Sequence, residues 1–442
     1  MAGAVAAVSS EQAACPIPGA LARGGNRPSG AVWPPRSAYL HIPFCHRRCF
    51  YCDFPVVPLG DRASAEPGAP GSRSIAAYLE QLLQEIAAAP PGPPLSTVYV
   101  GGGTPSLLSA EQLRQLLAAL RGRFGIAPGA ELSLELDPAS FDQQRLRGYL
   151  AAGINRVSLG GQSFDDAVLA QLGRRHRRRD LLEAAGWLQA AWRRGELGSW
   201  SLDLIQGLPG QDERGWVQQL QQAVALGPPH LSVYDLIIEP GTVFERLERR
   251  GQLPLPDADL AADLMELTGR HLAACGYGHY EISNYALPGH ASRHNRVYWS
   301  GAGWWGFGLG ATSAPWGERQ ARPRSREAYG AWLQEQLRAG AVSPAGQPGA
   351  GMPFDEQLLV GLRRREGVPL QALADQAHVP AEALAALLRR WQPAMEAGLL
   401  RREGPRWRLS DPEGLALSNA VLRELMDWWE QQPGAAGQPP SP

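Results

Sequence analysis

The stretch AYLHIPFCHRRCFYCDF at residues 38–54 decides how the rest of this chain is interpreted. It begins as a short apolar run typical of a β-strand and continues into three cysteines spaced as C-x3-C-x2-C, namely Cys45, Cys49 and Cys52. A structural zinc site needs four closed ligands, which His41 or His46 could complete, whereas a redox dithiol needs only C-x-x-C and leaves Cys45 without a role. Three thiolates suit a [4Fe–4S] cluster that keeps one iron open to a further ligand, so the spacing favours an iron–sulfur cluster.

Composition excludes several classes of function. The chain has 442 residues, and 42 basic against 43 acidic side chains leave a net charge of −1, so no global basic field exists to hold nucleic acid or an anionic membrane. It contains no lysine, which excludes a P-loop lysine and a Schiff-base lysine for pyridoxal phosphate. Five cysteines, an odd number, do not form a secreted disulfide framework, and a reducing compartment is expected. We expect Cys15 to be a tail thiol and Cys275 to be a buried small apolar residue.

Both ends of the chain lack hydrophobic periodicity. Residues 1–36 and 432–442 are rich in Ala, Gly and Pro and are predicted to be disordered tails. The N-terminus has no basic region, and no stretch reaches the ~18 apolar residues of a membrane span. We therefore expect a cytoplasmic protein without a signal peptide or membrane span, in which residues 37–325 and 326–431 form two domains.

The first of these regions is predicted to consist of repeated strand–helix units. A helix between two of the strands shows the 3.6-residue period in Leu113, Leu116, Leu117 and Leu120. The six strand-like runs are Ala38–Ile42, Ser96–Val100, Glu131–Leu136, Arg156–Leu159, Ser201–Ile205 and His230–Ile238. This alternation predicts the α/β class, with a parallel sheet forming a partial (β/α)6 barrel of the TIM type. Ligands are then expected at the C-terminal ends of the strands.

Beyond residue 325 the pattern becomes mostly helical. Helical stretches are predicted at 354–365, 369–377, 380–398 and 411–430, with a short β wing in LLRREGPRWRLS before the last of them. The whole resembles a winged helix. Because its arginine clusters are offset by neighbouring acids, we do not expect it to bind nucleic acid.

Polar residues near the ends of predicted strands mark a candidate ligand site. Gly101–Pro105 (GGGTP) follows the second strand, and bare glycine backbone permits close approach of a ligand. Glu135 lies in an alternating strand, and Gln162 and Asp203 sit at later strands. A carboxylate in a barrel wall needs a partner, which could be a ligand hydroxyl or a neighbouring arginine. Arg174 is predicted to lie on the following helical segment, which is rich in arginine and for which a solvated basic face is the default interpretation.

Together these segments resemble the radical S-adenosylmethionine superfamily, and within it the oxygen-independent coproporphyrinogen oxidase family and its sister family of HemW-type heme chaperones. The motifs are HIPFCHRRCFYCDF, GGGTPS, GINRVSLGGQSF, DLIQGLPGQ, SVYDLIIEPGT and YEISNYA, spread over residues 38–310. The resemblance implies a [4Fe–4S] cluster, held by Cys45, Cys49 and Cys52, whose open iron is chelated by S-adenosylmethionine. It also implies Tyr51 as an aromatic residue near the cluster. The positions it assigns to S-adenosylmethionine binding are Tyr39, Gly102, Gly103, Thr104, Glu135, Gln162, Arg174 and Asp203.

Three features separate the sister families. The oxidases carry a fourth cysteine where this chain has Phe54, and an N-terminal arm where it has a Pro/Gly-rich tail. The chaperones carry H-N-x-x-Y-W, matched by His294–Trp299. The resemblance therefore implies a protein that binds heme, with His294 as a heme-contacting residue, and transfers it to an acceptor of unknown identity. The alternative is an oxygen-independent coproporphyrinogen oxidase, a radical decarboxylase of porphyrinogen propionates, whose activity we do not expect here.

Overall fold

A computed structural model describes residues 34–340 and 351–432 of this chain. Most of the two predicted tails, together with Cys15, lies outside the described residues. Within them, no helix is both long and apolar enough to cross a bilayer.

The described residues form the following elements. The strands are β1 Ser37–Ile42, β2 Phe44–Cys45, β3 Val57–Pro58, β4 Leu95–Gly102, β5 Ile126–Leu136, β6 Arg156–Gln162, β7 Ser199–Gln206, β8 His230–Asp235, β9 Gly278–Glu281, β10 Asn284–Ala286, β11 Trp305–Phe307, β12 Thr312–Ser313, β13 Gln320–Ala321, β14 Leu400–Glu403 and β15 Arg406–Leu409. The helices are α1 Ser72–Ala88, α2 Ala110–Arg123, α3 Gln143–Ala152, α4 Asp166–Gln171, α5 Arg178–Arg193, α6 Glu213–Leu226, α7 Val243–Glu248, α8 Ala258–Ala274, α9 Arg293–Trp299, α10 Arg326–Arg338, α11 Phe354–Gly361, α12 Leu370–Gln376, α13 Ala381–Arg390, α14 Gln392–Glu396, α15 Glu413–Ala416 and α16 Ser418–Trp429.

One nine-stranded sheet organises the first region, with the strand order β11-β1-β4-β5-β6-β7-β8-β10-β9. All six predicted strands are present and run parallel to one another, which confirms the α/β class and the parallel sheet. Beyond β8 the sheet continues with β10 and β9, which pair antiparallel. The glycine-rich segment adds β11 as a further parallel strand on the free edge of β1, which the sequence did not predict. Strand β8, the sixth predicted strand, ends at Asp235, three residues earlier than predicted. The chain leaves the sheet there to form a loop at the end of the barrel.

The alternation in each strand separates a helix-facing side from an inner side. Leu132, Leu134 and Leu136 of β5 belong to the main hydrophobic core, together with the predicted leucines of α2. Glu135, between two of these leucines, and Asp137, directly after the strand, instead line a cavity inside the barrel. A run that alternates leucine with polar residues therefore packs against helices on one side and supplies polar groups to the interior on the other.

Local signals fix the helix ends that support this sheet. Ser109 caps α2 in a reciprocal capping box with Gln112, and Asp142 and Asp212 cap α3 and α6. Helix α8 ends at Ala274, and the next residue, Cys275, has an exposed side chain. The prediction of a buried thiol there is wrong because Cys275 lies just beyond the end of the helix, outside the buried core.

The C-terminal region has its own hydrophobic core and a two-stranded wing, β14–β15. The predicted helix at 380–398 is divided into α13 and α14, with Pro393 in the first turn of α14, where its missing N–H is tolerated. The predicted helix at 411–430 is likewise divided, at Leu417. This region is tied to the barrel by a 2.7 Å contact between His279 Nδ1 and Asp411 Oδ1. The domain boundaries at 325 and 431 stay predictions.

Candidate functional site

The loop that leaves β1 carries three cysteines towards the cavity. Cys45 is buried in the short strand β2, and the Cys52 N–H donates to the Cys49 carbonyl oxygen over 3.3 Å, which folds the loop into a turn. Burial raises the pKa of the Cys45 thiol to about 12 and that of Cys52 to about 11. Thiols in such surroundings become thiolates when a cation binds them, which is what a metal centre provides.

The donor set suits a cluster better than a single ion. Among residues 34–340 and 351–432, no three His, Cys, Asp or Glu side chains converge closely enough to hold one metal ion. In a cubane each thiolate binds a different iron, so the three sulfurs need not converge. Both ring nitrogens of His41 are already engaged, so it does not complete a zinc site. Its Nδ1 contacts the Tyr39 hydroxyl at 2.9 Å, and its Nε2 contacts the Pro55 carbonyl oxygen at 3.0 Å.

The glycine turn after β4 packs directly against the cysteine loop. A Cβ added at Gly103 would lie 2.8 Å from Cys45 Sγ, and one at Gly102, whose φ is 119°, would lie 2.7 Å from the His41 ring. Only glycine allows the two loops to approach this closely. The Gly102 N–H is thereby placed to donate to Glu135 Oε2 over 3.0 Å.

Within residues 34–340 and 351–432, Glu135 is hydrogen-bonded by neutral groups and not by the neighbouring arginine of the structural alternative. Its Oε1 accepts a 2.9 Å hydrogen bond from the Tyr99 hydroxyl, and Oε2 accepts the bond from Gly102. Burial raises the pKa of Glu135 to about 7, and the two hydrogen bonds only partly oppose that shift. Its carboxyl group lines the cavity, where a ligand can reach it.

Asp203 supplies a second buried carboxylate on the neighbouring part of the sheet. The Ser158 hydroxyl donates to Asp203 Oδ2 over 2.6 Å, and the Ser201 hydroxyl donates to Oδ1 over 3.2 Å. Burial raises the pKa of Asp203 as well. The cavity therefore holds two carboxylates stabilised by neutral donors, an arrangement suited to a ligand with hydroxyl groups or positive charge.

Gln162 lies at the end of β6 in a strained backbone conformation, with φ of 59°. Its Oε1 atom is buried and has no hydrogen-bond partner in the described structure. A left-handed conformation at a non-glycine residue and an unpartnered buried oxygen are both costly, and they concentrate at binding sites. Other atoms of Gln162 line the cavity.

Arg174 is buried in an ion pair, contrary to the default expectation of a solvated face. It lies in the loop between α4 and α5, not on a helix, and its Nη2 donates to Asp137 Oδ2 over 2.7 Å. Its Nη1 lies 3.6 Å from Cys49 Sγ. Although burial alone raises the pKa of Asp137, the Arg174 guanidinium and the His176 ring hold it well below its usual range.

These groups surround one cavity of about 470 Å³ at the C-terminal ends of the strands. Of the thirteen residues that the sequence assigns to cofactors or metal, eleven line it; Tyr39 and His294 do not. The ring of Tyr51 also lines it and packs on Phe244, with 6.5 Å between ring centroids. Phe54 and Ile237 line the cavity and are more than half exposed to solvent, which places them at its mouth. Tyr234 on β8 also lines the cavity and is exposed to its open space, near Asp203 and Glu135. We call these three residues the apolar lip.

His294 lies deeper in the barrel, on α9, and is completely buried. Its Nδ1 contacts the Thr97 hydroxyl and its Nε2 the Tyr298 hydroxyl, both at 2.8 Å, and its ring stacks on Tyr99 with centroids 5.2 Å apart. Burial lowers the pKa of His294 to about 3. A heme ligand needs a free ring nitrogen. The heme contact of His294 stays a prediction, and the hydrogen bonds at both of its ring nitrogens disfavour it.

Helix α9 is held in place by Glu131 on β5. The Glu131 carboxylate accepts hydrogen bonds from the backbone N–H groups of Arg293 and His294 over 3.0 and 2.9 Å. Because the His294 ring stacks on Tyr99 and Tyr99 donates to Glu135, the helix supports the far side of the cavity wall. The H-N-x-x-Y-W segment therefore has a structural role in this fold.

Sequence reasoning missed several residues of the site. Asp137 orients Arg174, Ser158 supports Asp203, and Tyr99 supports Glu135. Tyr99 and Ser158 stand at alternate positions of predicted strands, and Asp137 continues the alternation of Ser133 and Glu135 one residue beyond its strand. The period-two pattern could have identified all three as inner-face residues.

Comparisons with known proteins agree with this geometry. Residues 39–222 match the model of the Radical SAM superfamily, and residues 354–416 match the HemN C-terminal domain. The chain is 41% identical to a heme chaperone HemW of Synechocystis sp., over 90% of this chain and 98% of that protein. It is 38% identical to a heme chaperone HemW of Mycobacterium tuberculosis, over 89% of this chain and 95% of the other. The solved structure of coproporphyrinogen III oxidase HemN of Escherichia coli is similar in fold, with a TM-score of 0.71 and 22% identity over 89% of this chain and 90% of that chain.

Proposed function

This chain belongs to the HemW family of radical SAM proteins, and on that premise we propose that it is a heme chaperone. It holds a [4Fe–4S] cluster and S-adenosylmethionine in the central cavity and transfers heme to an acceptor protein. The observation that carries the cofactor part of the proposal is the cavity of about 470 Å³, lined by eleven of the thirteen predicted residues. The heme part of the proposal rests on the relatives, which are described as heme chaperones.

The residues present fit the two cofactors chemically. Cys45, Cys49 and Cys52 hold the cluster, and Arg174 donates towards the Cys49 sulfur and stabilises its thiolate charge. When bound, the cluster supplies an electron to the sulfonium centre of S-adenosylmethionine. The glycine turn at Gly102–Thr104 lets this ligand approach the main chain.

The inner-face carboxylates orient S-adenosylmethionine. Glu135 and Asp203 are acceptors for its hydroxyl and ammonium groups, and Gln162 lines the cavity beside them. The ligand is cationic at its sulfonium, so two buried carboxylates without a cationic partner favour its binding.

The oxidase alternative rests on a similarity to HemN that shows the fold alone. At the position where the oxidases carry a fourth cysteine, the side chain of Phe54 stands 53% exposed at the mouth of the cavity. Nothing in the described site favours porphyrinogen decarboxylation over heme delivery. The cytoplasmic location and the identity of the acceptor stay predictions.

One anaerobic experiment tests the proposal. Reconstituted protein is expected to hold roughly four irons and four sulfides per chain and to develop a Soret band when heme is added. With coproporphyrinogen, S-adenosylmethionine and a reductant it is expected to form no protoporphyrinogen. If the protein forms more than one protoporphyrinogen per chain, it is the oxidase and the chaperone proposal is wrong. If no Soret band develops, the protein does not bind heme.

A further inference from the structure

Exposed apolar side chains are concentrated at the mouth of the cavity. Six large hydrophobic residues are exposed in the described part of the chain: Phe50, Phe54, Tyr234, Ile237, Leu417 and Met426. The apolar lip accounts for three of them, with exposures of 53% at Phe54, 43% at Tyr234 and 64% at Ile237. Single exposed hydrophobic residues are ordinary on a protein surface, but several at the opening of a ligand cavity mark a binding surface.

The same mouth carries two arginines that lack a direct carboxylate partner among residues 34–340 and 351–432. Arg48 donates only to the carbonyl oxygens of Cys52 and Val56, over 3.3 and 3.5 Å. Arg175 donates to the carbonyl oxygens of Asp61 and Ala139, while the Asp61 carboxylate pairs directly with Arg47. Two guanidinium groups bound only to carbonyls retain the capacity to bind carboxylates.

These features together fit one class of ligand, a flat apolar ring system that carries two carboxylates. Heme has this chemistry, with an apolar macrocycle and two propionates on one edge. The deeper part of the cavity is assigned to the cluster and S-adenosylmethionine, and both ring nitrogens of His294 are already hydrogen-bonded. The lip is the surface that remains for the macrocycle.

We propose that heme lies flat against Phe54, Tyr234 and Ile237 at the mouth of the cavity, with its propionates directed to Arg48 and Arg175. This inference rests on the proposed function and deepens it by giving heme a location. Heme in this position covers the opening above S-adenosylmethionine. Exchange of S-adenosylmethionine is therefore slower when heme is bound.

The first test measures heme affinity from the Soret band of anaerobic, cluster-loaded protein. The double variant F54S/I237S is expected to bind heme at least ten-fold more weakly than the unaltered chain. Both side chains are more than half exposed, so the substitutions leave the core intact. The matched control is L417S/M426S, which removes two exposed apolar residues of the C-terminal region and is expected to bind heme normally.

The second test addresses the propionates. Heme dimethyl ester, which lacks both carboxylate charges, is expected to bind the unaltered chain more weakly than heme does. The variant R48Q/R175Q is expected to lose most of that preference while keeping its iron and sulfide content. Equal preference in the variant and the unaltered chain would refute the arginine contacts.

The third test follows exchange of labelled S-adenosylmethionine with and without heme, and exchange is expected to be at least five-fold slower with heme. Unchanged exchange would place heme elsewhere. The location would be wrong if F54S/I237S bound heme as tightly as the unaltered chain, or if the control L417S/M426S were weakened as much as F54S/I237S. Either result would leave the heme chaperone function intact. No heme binding by the unaltered chain would instead overturn the function itself.

Discussion

Replacing Glu135 by glutamine is expected to stabilise the cofactor-free protein and to weaken its binding of S-adenosylmethionine. Glutamine can keep both contacts of the carboxylate, since its oxygen can accept from the Gly102 N–H while its amide group donates to the Tyr99 hydroxyl. What the substitution removes is the negative charge. The two opposite effects distinguish a ligand-binding carboxylate from a structural one.

The magnitude follows from the shifted pKa. Burial raises the pKa of Glu135 from 4.5 to about 7, so the folded protein holds this proton more tightly than the unfolded chain does. The cost of ionisation is absent below pH 4.5, grows as the pH rises, and is complete above pH 7. At about 1.4 kcal/mol per pKa unit the full cost is about 3 kcal/mol, an upper bound because water in the cavity also solvates the carboxylate.

The assay is thermal unfolding of cluster-free, reduced protein between pH 5 and pH 8. At roughly 2 °C per kcal/mol, Glu135→Gln is expected to raise Tm by about 2–6 °C at pH 8 and to leave it nearly unchanged at pH 5. S-adenosylmethionine affinity of the cluster-loaded protein should fall roughly 5- to 150-fold at pH 8, the effect of losing one partner of a buried polar contact. The unaltered protein should also lose affinity as the pH falls below 7, because the carboxylate is then protonated, and the variant should lack this component.

A lower Tm at pH 8 in the variant would refute the reasoning, since it would mean that the ionised carboxylate stabilises the fold. An identical pH dependence of S-adenosylmethionine affinity in both proteins would show that Glu135 does not contact the ligand.

Three further predictions concern the cluster, its arginine and the buried histidine. Changing all three cluster cysteines to alanine should abolish iron and sulfide binding, and zinc retained tightly by the unaltered chain without cluster absorbance would contradict the assignment. Arg174→Met removes the guanidinium partner of the Asp137 carboxylate and leaves it with the His176 ring and the Ala139 N–H, so chemical denaturation of the cluster-free protein should show a loss of up to about 3–5 kcal/mol, much of it recovered in the double variant R174M/D137N. His294→Ala should lower Tm, because it leaves the Thr97 and Tyr298 hydroxyls without their buried partner, while the Soret maximum of the heme-loaded protein stays unchanged; a shifted maximum would restore His294 as a heme ligand.

The strands and the cavity-facing carboxylates were predictable because both depend on local pattern. Glu135 stands at an alternate position of a leucine-rich strand, and its outward neighbours Leu134 and Leu136 pack on helices. Period-two alternation alone therefore places it on the inner face. The same reasoning located the end of the barrel at which the cavity lies.

The remaining features depend on contacts between distant parts of the chain. Arg174 is surrounded by other arginines in sequence, and only the fold brings it to Asp137, 37 residues away. His294 reaches Thr97 across 197 residues, so its motif alone could not show that both ring nitrogens are already bonded. β11 is only three residues long and glycine-rich, and it forms a strand because the edge of β1 is there to pair with it.

The inner face of this barrel is polar to an unusual degree for a parallel sheet, and that property links stability to ligand binding. A barrel filled by its own side chains is packed with branched apolar residues, whereas here Glu135, Asp203 and Gln162 line the interior. Each of the three carries a cost in the ligand-free state: a raised pKa at the carboxylates, and an unpartnered oxygen with strained backbone at the glutamine. A cationic ligand with several donors lowers the cost at both carboxylates. Since a ligand that binds only the folded state stabilises it by mass action, S-adenosylmethionine is expected to contribute to the stability of the barrel as well as to its chemistry.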